Sequence, residues 1–122
     1  MNIRRGDIFW IDLAKIRPGI HTQKGIRPCV VISNNKNNQY CSTVQIMPLS
    51  TVYDGLPQHT YVYVEGRISY CLPEQITTVE KILLGCKSAY IAPRDMWVVE
   101  KAIQIQFGMW RVTNERFKIN NM

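Results

Sequence analysis

The chain has 122 residues and 46% hydrophobic composition, enough for one domain with one core and too little for two. Fifteen lysines and arginines against nine aspartates and glutamates give a net charge of +6, a balance that suits a polyanionic or acidic partner. Two histidines, and four cysteines without a C-x-x-C pair, offer no zinc spacing, and no apolar run approaches membrane-spanning length.

The first expected strand runs from Asp7 to Leu13, with Ile8-Phe9-Trp10-Ile11 as its apolar stretch. Arg5-Gly6-Asp7 reads as the turn that feeds it. Residues 14–26 form a long loop carrying Lys15, Arg17, His21, Gln23 and Lys24. Loops of that length without structure of their own are uncommon and often functional. The loop ends in Gly25-Ile26-Arg27-Pro28-Cys29-Val30-Val31-Ile32-Ser33-Asn34. Gly25 lets the chain turn, Pro28 fixes its own φ and pushes Arg27 into an extended conformation, and Cys29 to Ile32 reads as a buried strand. The second strand is expected from Pro28 to Asn34. Arg27 is thus held at a stiff loop-to-strand junction, where its planar fork can take a phosphate bidentately. The plain alternative is a strand-edge salt bridge.

Asn34-Asn35-Lys36-Asn37-Asn38 reads as a polar turn. The third strand is expected over Thr43–Leu49, followed by Ser50 and Thr51, and Asp54-Gly55-Leu56-Pro57 turns again. Thr60–Val64, Ile68–Leu72 and Glu74–Val79 are further expected strands, the last rich in β-branched residues. Then the period changes. Pro93 suits the first turn of a helix, Met96, Val99, Ile103 and Phe107 form one apolar stripe, and Gly108 is the stop. Residues 1–110 read as one domain and 111–122 as a polar tail. The cysteines are expected to be reduced and to fill small apolar sites, and the N-terminus has no signal-peptide core, which together point to the cytoplasm. Many short strands before one helix predict a mainly β, α+β fold: a small barrel or curled sheet covered by a helix.

Five segments in order resemble one family. They are Arg4-Arg5-Gly6-Asp7-Ile8-Phe9 with Asp12-Leu13, the Gly25–Asn34 run, Pro48-Leu49-Ser50-Thr51 with Leu56-Pro57, Leu72-Pro73-Glu74-Gln75-Ile76-Thr77-Thr78-Val79-Glu80-Lys81, and Ala102–Gly108. Over residues 4 to 109 the chain is similar to the MazF/PemK (Kid) toxins of bacterial toxin–antitoxin systems. The resemblance implies an SH3-like barrel with a C-terminal helix, usually a homodimer. It implies an mRNA interferase that needs no metal or cofactor and cuts single-stranded RNA through the 2′-hydroxyl, leaving a cyclic phosphate and a 5′-hydroxyl. It also implies an antitoxin with an acidic, partly disordered segment.

Such a cleavage needs a positive group on the phosphate, a proton acceptor and a proton donor. The family's arginine maps onto Arg27, as transition-state stabiliser; its part in proton transfer stays open, because arginine keeps its proton. The family's threonine falls on Ser50, with Thr51 adjacent, and strand alternation lets only one of the two face the site. The family's acid maps onto Glu74, which would orient Arg27 or accept the 2′-hydroxyl proton, with a strand-end ion pair as the structural alternative. Gln75 is placed either against a base or at a dimer interface. In the loop, Thr22 stands where relatives often have glutamate, which makes His21 a candidate acid or base. Lys15, Arg17 and Lys24 are candidate phosphate contacts, and Phe9, Trp10 and Tyr53 are candidate stacking platforms as against core residues. Two other classes compete: a CcdB-type barrel that binds DNA gyrase, and a nucleic-acid binder that does not cut.

Overall fold

The computed structural model describes residues 2–16 and 25–109. Arg17, His21, Gln23, Lys24 and the tail therefore lie outside the described residues. Those described form strands β1 (Asp7–Asp12), β2 (Ile26–Val31), β3 (Thr43–Ser50), β4 (Tyr61–Val64), β5 (Arg67–Cys71), β6 (Thr77–Glu80) and β7 (Lys87–Tyr90), with helices α1 (Asn35–Tyr40) and α2 (Met96–Gln106). All pairings are antiparallel, in the order β4-β5-β3-β2-β1-β7, with β6 also on β3. The result is a curled half-barrel closed by one C-terminal helix, the architecture expected from the order of elements.

The curl follows from β3. Its first half pairs with β6 (Thr43↔Glu80 to Ile46↔Thr77), its middle with β2 (Val31↔Ile46 to Cys29↔Pro48), and its end with β5 (Leu49↔Cys71, Ser50↔Tyr70). One strand thus serves three neighbours, and the sheet must bend along it. Both faces of the central strands are buried. Phe9, Ile11, Cys29, Val31, Val44 and Ile46 fill one cluster, while Ile8, Val30, Met47 and Leu49 fill a second beneath Met96, Val99 and Ala102 of α2. Double burial is why β1 and β2 read as continuous apolar runs while β4 alternates. Phe9, 1% exposed, is core and reaches no ligand.

The Arg5-Gly6-Asp7 turn is structural. Arg5 donates to the Ile32 carbonyl and pairs with Glu100 of α2 at 3.0 Å, and buried Asp7 pairs with Lys87 of β7 at 3.1 Å. Four expectations change. The Asn-rich turn is helix α1, because the Asn34 side chain caps it by accepting from the Asn37 N–H. The proposed strand Glu74–Val79 begins as a 3-10 turn, Pro73–Gln75, since Pro73 presets the first helical position; only Thr77–Glu80 extends. β7 had no forecast. In α2, Phe107 lies past the last turn and is exposed, and buried Ala102 completes the stripe instead. The helix stops at Gly108 as expected, with Met109 N–H on the Gln104 carbonyl and Gly108 N–H on that of Ile105.

Between β6 and β7 the chain crosses the edge of β1 with almost no clearance. Gly85 N–H donates to the Trp10 carbonyl and Trp10 N–H to the Cys86 carbonyl, and a Cβ on Gly85 would overlap the Trp10 carbonyl oxygen. Gly85→Ala must push backbone against backbone and is expected to destabilise the fold by about 2 kcal/mol in urea titrations. An alanine variant with an unchanged midpoint would remove that constraint.

The cysteines divide. Cys29 and Cys71 are buried in the two clusters, whereas Cys41 and Cys86 are exposed, contrary to the small apolar role expected of all four. Burial pushes the Cys71 thiol up to about 11. Iodoacetamide at pH 8 is expected to label Cys41 and Cys86 in the folded protein and the other two only after denaturation. Mass spectrometry of peptides reads this directly, and early labelling of Cys71 would contradict its burial.

Among the described residues no helix is long and apolar enough to cross a membrane, and no three His, Cys, Asp or Glu side chains gather as metal ligands.

Candidate active site

Arg27 sits second in β2, opposite Ile11 of β1 and next to Pro28, which faces Trp10 across the same ladder. Gly25, at φ +81°, carries the chain into this strand, and its carbonyl accepts the Leu13 N–H, fixing the start of β2 against the end of β1. Arg27 is exposed, and no carboxylate of the described residues pairs with it. The strand-edge ion pair that was the plain alternative is therefore not formed within the described part.

The end of β3 supplies the opposite wall. Arg27, Pro28, Trp10, Leu49, Ser50, Thr51, Val52 and Ser69 line one cleft of about 350 Å³. The arginine and both candidate hydroxyls thus meet in one place, brought together by the β1–β2 and β2–β3 pairings. Ser50 and Thr51 do different things there. The Ser50 oxygen accepts the Val52 N–H at 3.0 Å, which turns the chain out of β3, and its own proton stays available to an acceptor. Thr51 is exposed on the cleft wall. Both line the cleft because the strand ends between them, so alternation does not separate them.

Glu74 does not line this cleft. It stands on the 3-10 turn after β5, and both of its oxygens lie against Nε2 of His59, at 2.8 and 2.9 Å. His59 Nδ1 is 2.7 Å from Asp54 Oδ1. The imidazole side chain is 2% exposed, so a buried ring bridges two partly exposed carboxylates. The imidazolium, with an N–H on each nitrogen, donates to both; a neutral ring serves only one. The Leu56 N–H, and after it His59, hold the Asp54 carboxyl below the usual carboxylate range despite some desolvation. A carboxyl lowered in this way adds stability above its unfolded value and loses it as pH falls through its folded one, so this support weakens only in acid.

In the sequence His59 is only one of two histidines without metal spacing. No local pattern marks its role, because its partners lie five and fifteen residues away, on a loop and a turn. Lys15 is exposed on the 3-10 turn after β1, and Gln75 is partly buried beside Glu74. Tyr53 is exposed, with its ring stacked on Tyr70 at 5.0 Å.

The chemistry on the cleft wall is that of an anion site: a guanidinium, hydroxyl donors and an indole. The named residues of the wall include no carboxylate or imidazole, so the wall offers donors and positive charge to an anion but no proton acceptor.

Residues 4–107 match the family described as PemK-like, MazF-like toxin of type II toxin-antitoxin system. The chain is 31% identical over 120 residues to Endoribonuclease MazF of Staphylococcus saprophyticus, covering 93% of this chain and 98% of that protein. Its fold is similar to MazF of Deinococcus radiodurans (TM-score 0.72, 22% identity, 89% of this chain and 99% of that one). It is similar also to an endoribonuclease from a mycobacterial species solved in complex with its cognate antitoxin (TM-score 0.69, 23% identity, 90% and 98%).

Proposed function

The chain belongs to the PemK-like, MazF-like toxins of type II toxin–antitoxin systems, and from that premise we propose that it is a metal-independent endoribonuclease acting on single-stranded RNA in the cytoplasm. The observation that carries the reading is the convergence of Arg27, Ser50 and Thr51 on one cleft. In this reading the ribose 2′-hydroxyl attacks the adjacent phosphorus and the bond to the 5′-oxygen breaks. Arg27 holds the two phosphate oxygens on which charge grows, and a hydroxyl of Ser50 or Thr51 donates to one of them. The 2′-hydroxyl proton leaves to a base, and the departing 5′-oxygen gains a proton. The products are a 2′,3′-cyclic phosphate and a 5′-hydroxyl.

Glu74 is the supporting acid. It braces His59 and, through Asp54, the segment that follows Thr51. Lys15 and Gln75, with Arg17, His21, Gln23 and Lys24 of the loop, are the proposed RNA contacts. An antitoxin with an acidic segment fits the +6 charge, and the active form is a homodimer.

The test is incubation of the protein with long single-stranded RNA in excess EDTA, followed by mapping of the ends. Discrete cuts with cyclic phosphate and 5′-hydroxyl ends support the reading. No cleavage of several RNAs by folded protein overturns it and turns attention to gyrase or to binding without cutting. Ser50→Ala and Thr51→Ala separate the two hydroxyls: the one that meets the phosphate is expected to lower kcat about tenfold to a hundredfold, and the other to change it little.

A further inference from the structure

Trp10 stands out within β1. Its neighbours Ile8, Phe9 and Ile11 are all 1% exposed, yet Trp10 is 42% exposed in the middle of the sheet, with β2 on one side and the Gly85–Cys86 crossing on the other. None of the ring pairs among the described residues involves it. Its indole is common to two adjoining clefts. One is the 350 Å³ cleft of Arg27 and Ser50; the other, about 400 Å³, is lined by Arg67, Glu65 and Ser88. Pro28, Leu49, Thr51 and Ser69 are common to both, so the two form one groove with Trp10 at its waist and an arginine toward either end.

We infer that Trp10 is a specificity-determining residue of the cleavage, stacking the unpaired base next to the phosphate held by Arg27, while Arg67 takes the neighbouring phosphate. This rests on the ribonuclease reading above and extends it. A large flat ring with two side-chain torsions, its backbone N–H and carbonyl both bonded to the Gly85–Cys86 crossing, is a pre-ordered platform, and base–aromatic stacking between cationic contacts is how single strands are held. The same groove gives Glu65 a place opposite a base edge, where a carboxylate accepts from an exocyclic amine and repels phosphate. Arg67, on the far side, keeps the backbone running past it.

The test uses a single-stranded oligodeoxynucleotide, which lacks the attacking hydroxyl and is not cut, and the protein with Trp97→Phe and Trp110→Phe so that Trp10 alone fluoresces. Binding is expected to quench Trp10, and Arg67→Ala to lower the log–log salt slope of binding by about 0.7. On RNA, Trp10→Ala is expected to raise KM about tenfold with kcat little changed and to relax base preference at one position beside the cut, with Trp10→Phe recovering part of the loss. Unchanged fluorescence at saturating oligonucleotide, or an unchanged cut map and KM in Trp10→Ala, overturns the inference. So does a fluorescence change that follows protein concentration without oligonucleotide, which would assign the indole to self-association. A wild type that cuts nothing overturns the ribonuclease reading instead, and the quench, which needs no cleavage, still decides whether Trp10 stacks a base.

Discussion

Arg27→Ala is expected to lower RNA cleavage about a thousandfold while leaving the urea midpoint where it was. The two halves of this result have separate causes. The side chain is exposed and pairs with no carboxylate of the described residues, so its removal opens no cavity and strands no charge, and stability should move by less than about 0.5 kcal/mol. Cleavage, by contrast, loses the one fixed cation among the residues lining the 350 Å³ cleft. Arg27→Lys keeps the charge without the fork and is expected to remain at least about tenfold below wild type. Rates on one long RNA in EDTA, with circular dichroism on the same samples, check both halves. Cleavage that survives in the alanine variant would place the phosphate elsewhere.

His59→Ala is expected to produce the opposite pattern, with a large loss of stability and a secondary loss of activity. The substitution leaves Asp54 and Glu74 without the ring that bridges them and opens a hole where that buried ring had been. Both carboxylates reach water, at 49% and 33% side-chain exposure, which softens the penalty, so about 2–3 kcal/mol is expected rather than the full value for a buried pair. Urea denaturation at constant m-value measures it. Glu74→Gln tells bracing from proton transfer. If Glu74 braces, the glutamine keeps a hydrogen bond, kcat falls by less than about tenfold, and the pH–rate profile keeps its shape. A fall of about a hundredfold or more with loss of one limb would make Glu74 the base.

The parts of the molecule that could be read from the sequence are those determined by neighbours along the chain. Gly25, Arg27 and Pro28 mark the entry into β2 through backbone geometry alone, although the strand begins at Ile26, before the proline, and takes Arg27 into its ladder. The apolar runs of β1 and β2 reflect burial on two faces, and the stripe of α2 reflects burial on one. β7, Lys87–Tyr90, has no such signature. It is a mostly exposed edge, held by the Asp7 ion pair and the β1 ladder rather than by apolar side chains. Helix α1 has no apolar period either; its cap at Asn34 and the hold of Asn38 on Ser33 define it. The Asp54–His59–Glu74 bridge joins a loop to a turn across a strand pair, and no spacing along the chain encodes it. The apolar run around Trp10 leaves it open between core and stacking platform; only the end of β3 and the start of β5 decide that its ring looks into a groove.

The closure of β1 by β7 has a consequence for the order in which the protein can be made. The first strand leaves the ribosome early and finds β2 soon after, but its other edge waits for Gly85, Cys86 and the residues of β7. Until those emerge, Trp10 has no bonded backbone on that side and Ser88 is missing from the groove wall. α2, which covers the second core cluster, follows later still. A chain made only as far as β6 therefore holds Arg27 without a finished groove around it, and the machinery translating it meets the completed site only after Gly85 to Ser88 have emerged.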